Sequence, residues 1–135
     1  MSDTAESSIH VLLIEDNPID ARLIEGLLQH SKKPTYALSK AGRLSEGLTQ
    51  LAQGGIDVVL LDLTLPDSKD LETFIRVRSH APTVPIVIVT GVDDIKLAAR
   101  AVEAGAQDYL LKNHLSGGAP KRRFELLCRA VRRNQ

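Results

Sequence analysis

The sequence predicts a doubly wound α/β fold around a parallel sheet, and three observations carry that prediction. Five short apolar runs alternate with five amphipathic stretches along the chain. The runs at 9–14, 57–62 and 85–89 are apolar almost throughout, the pattern of strands covered by helices on both faces. Turn residues punctuate the alternation where helices should start and stop.

In chain order, strands are predicted near 9–14, 35–39, 57–62, 85–89 and 107–111, and helices near 18–30, 43–53, 69–80, 93–104 and 120–133. Pro18 suits a first helical turn because its missing N–H has no helical partner to lose. The 35–39 run mixes polar and apolar residues and reads as an edge strand. Gly54-Gly55 closes the second helix, Gly105 closes the fourth, and Gly118-Ala119-Pro120 precedes the fifth. Residues 1–8 are polar and unpatterned and read as a flexible N-terminal tail, leaving 9–133 as one domain.

Composition narrows the function classes. A chain of 135 residues fits one domain that buries about two-thirds of its unfolded surface. The single cysteine, Cys128, excludes an internal disulfide and reads as a buried apolar thiol; with no leader before Ile9, a cytoplasmic setting is expected. The apolar runs are far shorter than the ~20 residues a membrane helix needs. Basic and acidic residues balance at 17 each, so no overall field favours nucleic acid or a membrane surface. Residues 120–135 carry six basic side chains against one acid, but lack aromatic interleaving and read as a solvated helix face. The histidines, His10, His30, His80 and His114, show no ligand spacing.

In an open parallel sheet, ligands bind beyond the carboxyl ends of the strands where strand order reverses. Here those ends carry Glu15-Asp16-Asn17-Pro18, then Asp62, then Thr90-Gly91, and finally Tyr109 running into Lys112. Three acids brought together offer hard oxygen ligands suited to Mg2+ (or Mn2+) held by few carboxylates. A carboxylate can attack phosphorus and hold it as an acyl phosphate, while a cation and a hydroxyl neutralise the phosphoryl oxygens. Read singly, these residues are bland: Lys112 as a surface lysine, Thr90 as a strand residue, Tyr109 as a half-buried aromatic. Asp62 as a helix cap stands several residues too early for a helix beginning near Ser68. Their joint appearance at successive strand ends is what points to a site.

Four segments carry a resemblance: LLIEDNPID (Leu12 to Asp20), VVLLDLTLPD (Val58 to Asp67), PIVIVTG (Pro85 to Gly91) and GAQDYLLK (Gly105 to Lys112). In order and spacing they resemble the receiver domain of two-component response regulators, from Ile9 to about Arg133. The resemblance implies a flavodoxin-like five-stranded sheet of order 2-1-3-4-5 with five helices. It implies Asp62 as phosphoacceptor, Asp16 as a direct metal ligand, Glu15 as a ligand through water, and the Thr64 carbonyl as a further ligand. Thr90 and Lys112 would contact phosphoryl oxygens, Gly91 would keep the approach open, and Tyr109 would be a rotameric switch. The implied donor is a histidine kinase or histidine phosphotransfer protein. Docking is expected on the first helix, with Ala21, Leu23 and Ile24 as apolar footing. A downstream protein or a homodimer would use the face of the fourth helix, fifth strand and fifth helix. The domain would be no enzyme beyond its own phosphorylation and dephosphorylation.

Two departures from the family pattern stand out. Asn113 follows Lys112 where receivers usually have proline, and Asp70 opens the third helix where they usually have glycine. The first raises an alternative: a degenerate receiver acting as a phosphorylation-independent interaction module. A flavodoxin or dinucleotide reading fails because Glu15-Asp16 would repel a phosphate. A haloacid-dehalogenase-like phosphatase needs a second Asp where Thr64 stands.

Overall fold

The computed structural model of the chain describes residues 8–29 and 35–114. The expected fifth helix at 120–133, the Gly118-Ala119-Pro120 segment before it, Cys128 and most of the N-terminal tail lie outside the described residues. A parallel sheet runs through the middle: β1 (Ser8–Ile14), β2 (Thr35–Ala41), β3 (Val58–Leu61), β4 (Ile86–Thr90) and β5 (Asp108–Leu111), in the spatial order β2-β1-β3-β4-β5. Four α-helices accompany it among the described residues: α1 (Pro18–Gln29), α2 (Leu44–Ala52), α3 (Asp70–His80) and α4 (Ile95–Glu103). Strand order therefore reverses between β1 and β3, which pair in register from Val11↔Val58 to Ile14↔Leu61.

Alternation along the central strands feeds two apolar layers. Leu12, Ile14, Val59, Leu61, Ile86 and Ile88 face α2, α3 and α4, meeting Leu44, Leu51, Phe74, Val77, Ala98 and Ala101. Ile9, Val11, Leu13, Val58, Leu60, Val87 and Val89 point to the other side, where α1 supplies Ile24 and Leu28. Such burial on both faces is why these strands read as nearly unbroken apolar runs. β2 lies at the edge, as its mixed pattern predicts. No helix among the described residues is long and apolar enough to cross a membrane.

Local chemistry sets the helix ends. Asn17 caps α1, its Oδ1 accepting the N–H of Ile19 at 2.9 Å and of Asp20 at 3.1 Å, with Pro18 as the first helical residue. After α2, Gly54 and Gly55 take φ values of +81° and +84°, a left-handed turn that favours glycine. Within α2, Gly47 lets the helix approach β1 closely: a Cβ there would collide with the Ile14 side chain. Overpacking of that kind costs about 1–3 kcal/mol.

The chain between β3 and α3 departs most from the sequence expectation. Rather than a plain loop, Thr64–Leu65 and Ser68–Lys69 form a short antiparallel ribbon. The Asp67 carboxylate at its tip reaches to α2 and accepts the N–H groups of Leu44 at 2.7 Å and Ser45 at 3.0 Å. Arg43, the residue before α2, offers no side-chain cap, so Asp67 satisfies those donors from 22 residues away or more. Asp70, which follows the ribbon, has φ +64°. The fourth helix is shorter than expected at its start, because Val92–Asp94 forms a 3-10 turn first.

Candidate functional site at the strand ends

The reversal of strand order opens the sheet between the ends of β1 and β3, and the first acids sit there. Glu15 follows β1, tied to β2 by its N–H donating to the Ala41 carbonyl at 2.9 Å. Asp62 follows β3, its N–H donating to the Ile14 carbonyl at 3.0 Å. Both side chains are buried, whereas Asp16 is exposed. One carboxylate oxygen from each of Glu15, Asp16 and Asp62 falls within a mutual 4.8 Å.

Lys112, just past β5, reaches into this group. Its Nζ donates to Asp62 Oδ2 at 3.0 Å and to Glu15 Oε2 at 3.3 Å. It also lies 3.0 Å from Asp20 Oδ2 and 3.1 Å from Glu15 Oε1. Asp62 Oδ1 accepts the N–H of Thr64 at 3.0 Å, which fixes the carboxylate plane. Glu15 Oε2 accepts the N–H of Asn17 at 3.1 Å, while Oε1 is buried with no hydrogen bond despite the nearby ammonium.

The charges shift accordingly. Burial pushes the Glu15 carboxyl up to about 8, and the adjoining Asp62 carboxylate adds to the rise; Lys112 and the Asn17 N–H oppose it and lose. For Lys112, burial would favour the neutral amine, but hydrogen bonds to Asp62 and Asp20 and the charges of Asp62 and Glu15 outweigh it, so its pKa is raised. Of the two buried carboxyls, Glu15 is the one whose burial favours the protonated form, while Asp62 lies against the Lys112 ammonium.

The remaining predicted residues lie at the same end of the sheet. Thr90, buried at the end of β4, donates its hydroxyl to the Gly91 carbonyl at 3.3 Å. Gly91 is extended, with φ −82°, and a Cβ there would meet nothing within 4 Å, so no packing demand requires glycine. Tyr109 is half-buried on β5 opposite Ile88 and packs against the layer under α2 to α4. Thr64 is exposed on the ribbon. Glu15, Asp16, Asp62 and Lys112 are thus brought together. Asp20 joins them without having been singled out: it lies in the first turn of α1, and only the rotation of that helix about its axis turns its carboxylate towards Lys112.

These donors fit a divalent cation. Three carboxylates converge and a buried Glu15 oxygen lacks a hydrogen bond, which a hard ion with oxygen preference would satisfy.

Comparison with known proteins agrees with this geometry. Residues 11–116 match the family model described as the response regulator receiver domain. The swarming motility regulation protein RssB of Serratia marcescens is 33% identical over 104 residues, covering 77% of this chain and 46% of that protein. The transcriptional regulatory protein BasR of Escherichia coli is 31% identical over 102 residues, covering 76% of this chain and 45% of that one. The chain thus spans about half the length of these curated relatives. A response regulator receiver domain protein from Clostridium thermocellum superposes with a TM-score of 0.78 over 93% of this chain and 95% of its own, a likeness that at 22% identity speaks for the fold alone.

Proposed function

The chain belongs to the response regulator receiver domain family, and on that premise we propose that it is a phosphorylation switch accepting a phosphoryl group on Asp62. The donor is a histidine kinase or a histidine phosphotransfer protein. The observation that carries this reading is the Lys112 ammonium 3.0 Å from Asp62 Oδ2, where the buried Glu15 and Asp62 converge with the exposed Asp16.

Transfer forms a bond between an Asp62 carboxylate oxygen and phosphorus as the donor's N–P bond breaks and imidazole leaves with a proton. Such a reaction needs positioning and charge neutralisation more than proton chemistry. The Thr64 N–H holds the Asp62 carboxylate in place. Lys112, already beside Oδ2, neutralises a phosphoryl oxygen. The Thr90 hydroxyl turns from the Gly91 carbonyl to donate to another, and Tyr109 follows into the vacated space. Glu15, Asp16, Asp62 and the Thr64 carbonyl would hold Mg2+ (or Mn2+), which supplies positive charge to the phosphoryl oxygens when bound. Readout then passes to a partner or a second copy through the face containing α4 and β5.

The test is incubation with magnesium and a small acyl-phosphate donor, followed by intact mass. One added phosphoryl group is expected, absent in Asp62→Asn. A wild-type chain that stays unmodified while binding its partner would establish the phosphorylation-independent interaction module instead.

A further inference from the structure

Lys112 has a third acidic partner that the phosphoryl chemistry just described does not use. An ammonium offers three N–H groups. Here Nζ donates to Asp62 Oδ2 at 3.0 Å and to Glu15 Oε2 at 3.3 Å, and Asp20 Oδ2 stands 3.0 Å away as a third ion-pair partner. Asp62 and Glu15 are anchored at strand ends by backbone hydrogen bonds to neighbouring strands. Asp20 comes instead from the first turn of α1, pinned there by the Asn17 cap. The Asp20 and Lys112 side chains are only 21% and 20% exposed, so their attraction is less screened than that of a surface pair.

We propose that Asp20 is a positioning residue for phosphoryl transfer: it holds Lys112 towards α1 and competes with the incoming phosphoryl group for the ammonium. The proposal rests on Asp62 being the phosphoacceptor. A phosphoryl group there brings new acceptor oxygens to an ammonium already committed to three acids, so one contact must yield. The contact to Asp20 yields, because Glu15 and Asp62 lie at the acceptor itself and Asp20 reaches in from a separate element. Asp20 therefore slows loading, and it links occupancy of Asp62 to the first turn of α1.

Two donors of different charge test this: an acyl phosphate, a dianion at neutral pH, and phosphoramidate, which carries less negative charge. Asp20→Asn keeps the shape and an acceptor oxygen but removes the charge. Its second-order rate constant for loading should rise three- to tenfold with both donors, to the same extent within twofold. Asp20→Glu, which keeps the charge, should stay within twofold of wild type. In Asp20→Asn the Lys112 ammonium protons should exchange with water at least threefold faster by 15N-selected NMR, with a melting temperature close to that of wild type. Unchanged or slower loading, acceleration confined to the dianionic donor, or unchanged ammonium exchange would overturn the role of Asp20. Failure of wild type to load from either donor would overturn the reading of Asp62, and this proposal with it.

Discussion

Glu15 is the residue whose chemistry the surroundings change most. Three neighbouring acids, taken as bare charges, repel by about 4 kcal/mol per pair at 4 Å and an effective dielectric of 20. On that basis the sequence alone marks Asp16→Asn as the substitution to relieve strain in the metal-free protein. The structure adds Glu15 as a second place for such relief, because Asp62 is paired with Lys112 and the buried Glu15 carboxyl has its pKa raised. With its pKa raised from 4.5 to about 8, folded Glu15 binds more protons than unfolded Glu15 between those values. Stability from this group is full below about pH 4.5 and is lost as pH rises through 8. The metal-free melting temperature should therefore fall between pH 5 and 9, and Glu15→Gln should flatten the slope. A wild-type profile without that slope would show that Glu15 is ionised throughout. Magnesium binding to the ionised carboxylates should show the opposite trend, strengthening by up to tenfold per pH unit as pH rises to about 8.

Elements in this fold are joined through the ribbon that follows Asp62, and two acids, Asp67 at its tip and Asp70 just after it, carry the gain and the strain. Asp67 caps α2 from outside it. Burial would raise its pKa, but the Ser45 and Leu44 N–H groups outweigh burial and hold the carboxyl below its ordinary 3.8. Stability from this group is present above the ordinary carboxylate range and lost as pH falls through the lowered folded value, a window separate from that of Glu15. Asp67→Ala should cost about 1 kcal/mol in urea melts at pH 7, and Asp67→Asn, which keeps an acceptor, less. A loss equal for both would mean that charge rather than the hydrogen bonds holds α2. Asp70 stands where the resemblance leads one to expect glycine, and the position has φ +64°, which an L side chain adopts at a cost. Asp70→Gly and Asp70→Ala both lose the same acid from the start of α3, so their difference isolates the backbone. The glycine variant should be more stable than the alanine variant by about 1 kcal/mol, and equal midpoints would place the strain elsewhere. On the far side of α3, Arg78 joins elements in another way. Its guanidinium donates to the carbonyls of Ala81, Pro82, Val84 and Gly105 at 3.0 to 3.2 Å and lies over the Phe74 ring.

Across the whole molecule, the sheet was legible in the sequence because burial on both faces leaves an unmistakable apolar run, and strand ends could be read for chemistry once the runs were placed. What stayed hidden depended on contacts distant in sequence. The ribbon and the Asp67 cap require knowing that α2 lies beside the 62–69 loop, and the Asp20 contact requires the rotation of α1 about its axis. That rotation also corrects the docking surface. Of Ala21, Leu23 and Ile24, only Leu23 is exposed; Ile24 is 4% exposed within the core and Ala21 packs against it. The apolar surface of α1 is instead a shallow groove lined by Pro18, Ile19, Arg22 and Leu23, with Ile19 71% exposed. Ile19 is the neighbour of Asp20, which contacts Lys112, so a protein seated on the groove would bring its phosphohistidine to Asp62. A small donor needs no such seat. Ile19→Ser with Leu23→Ser should slow transfer from a histidine phosphotransfer protein tenfold or more, about 1.4 kcal/mol or greater in the transition state, while loading from acyl phosphate stays within twofold. Both side chains are exposed, so the melting temperature should hardly change. Equal slowing with both donors would mean that the substitutions disturb the site itself, and undiminished transfer from the protein donor would place its docking on another face.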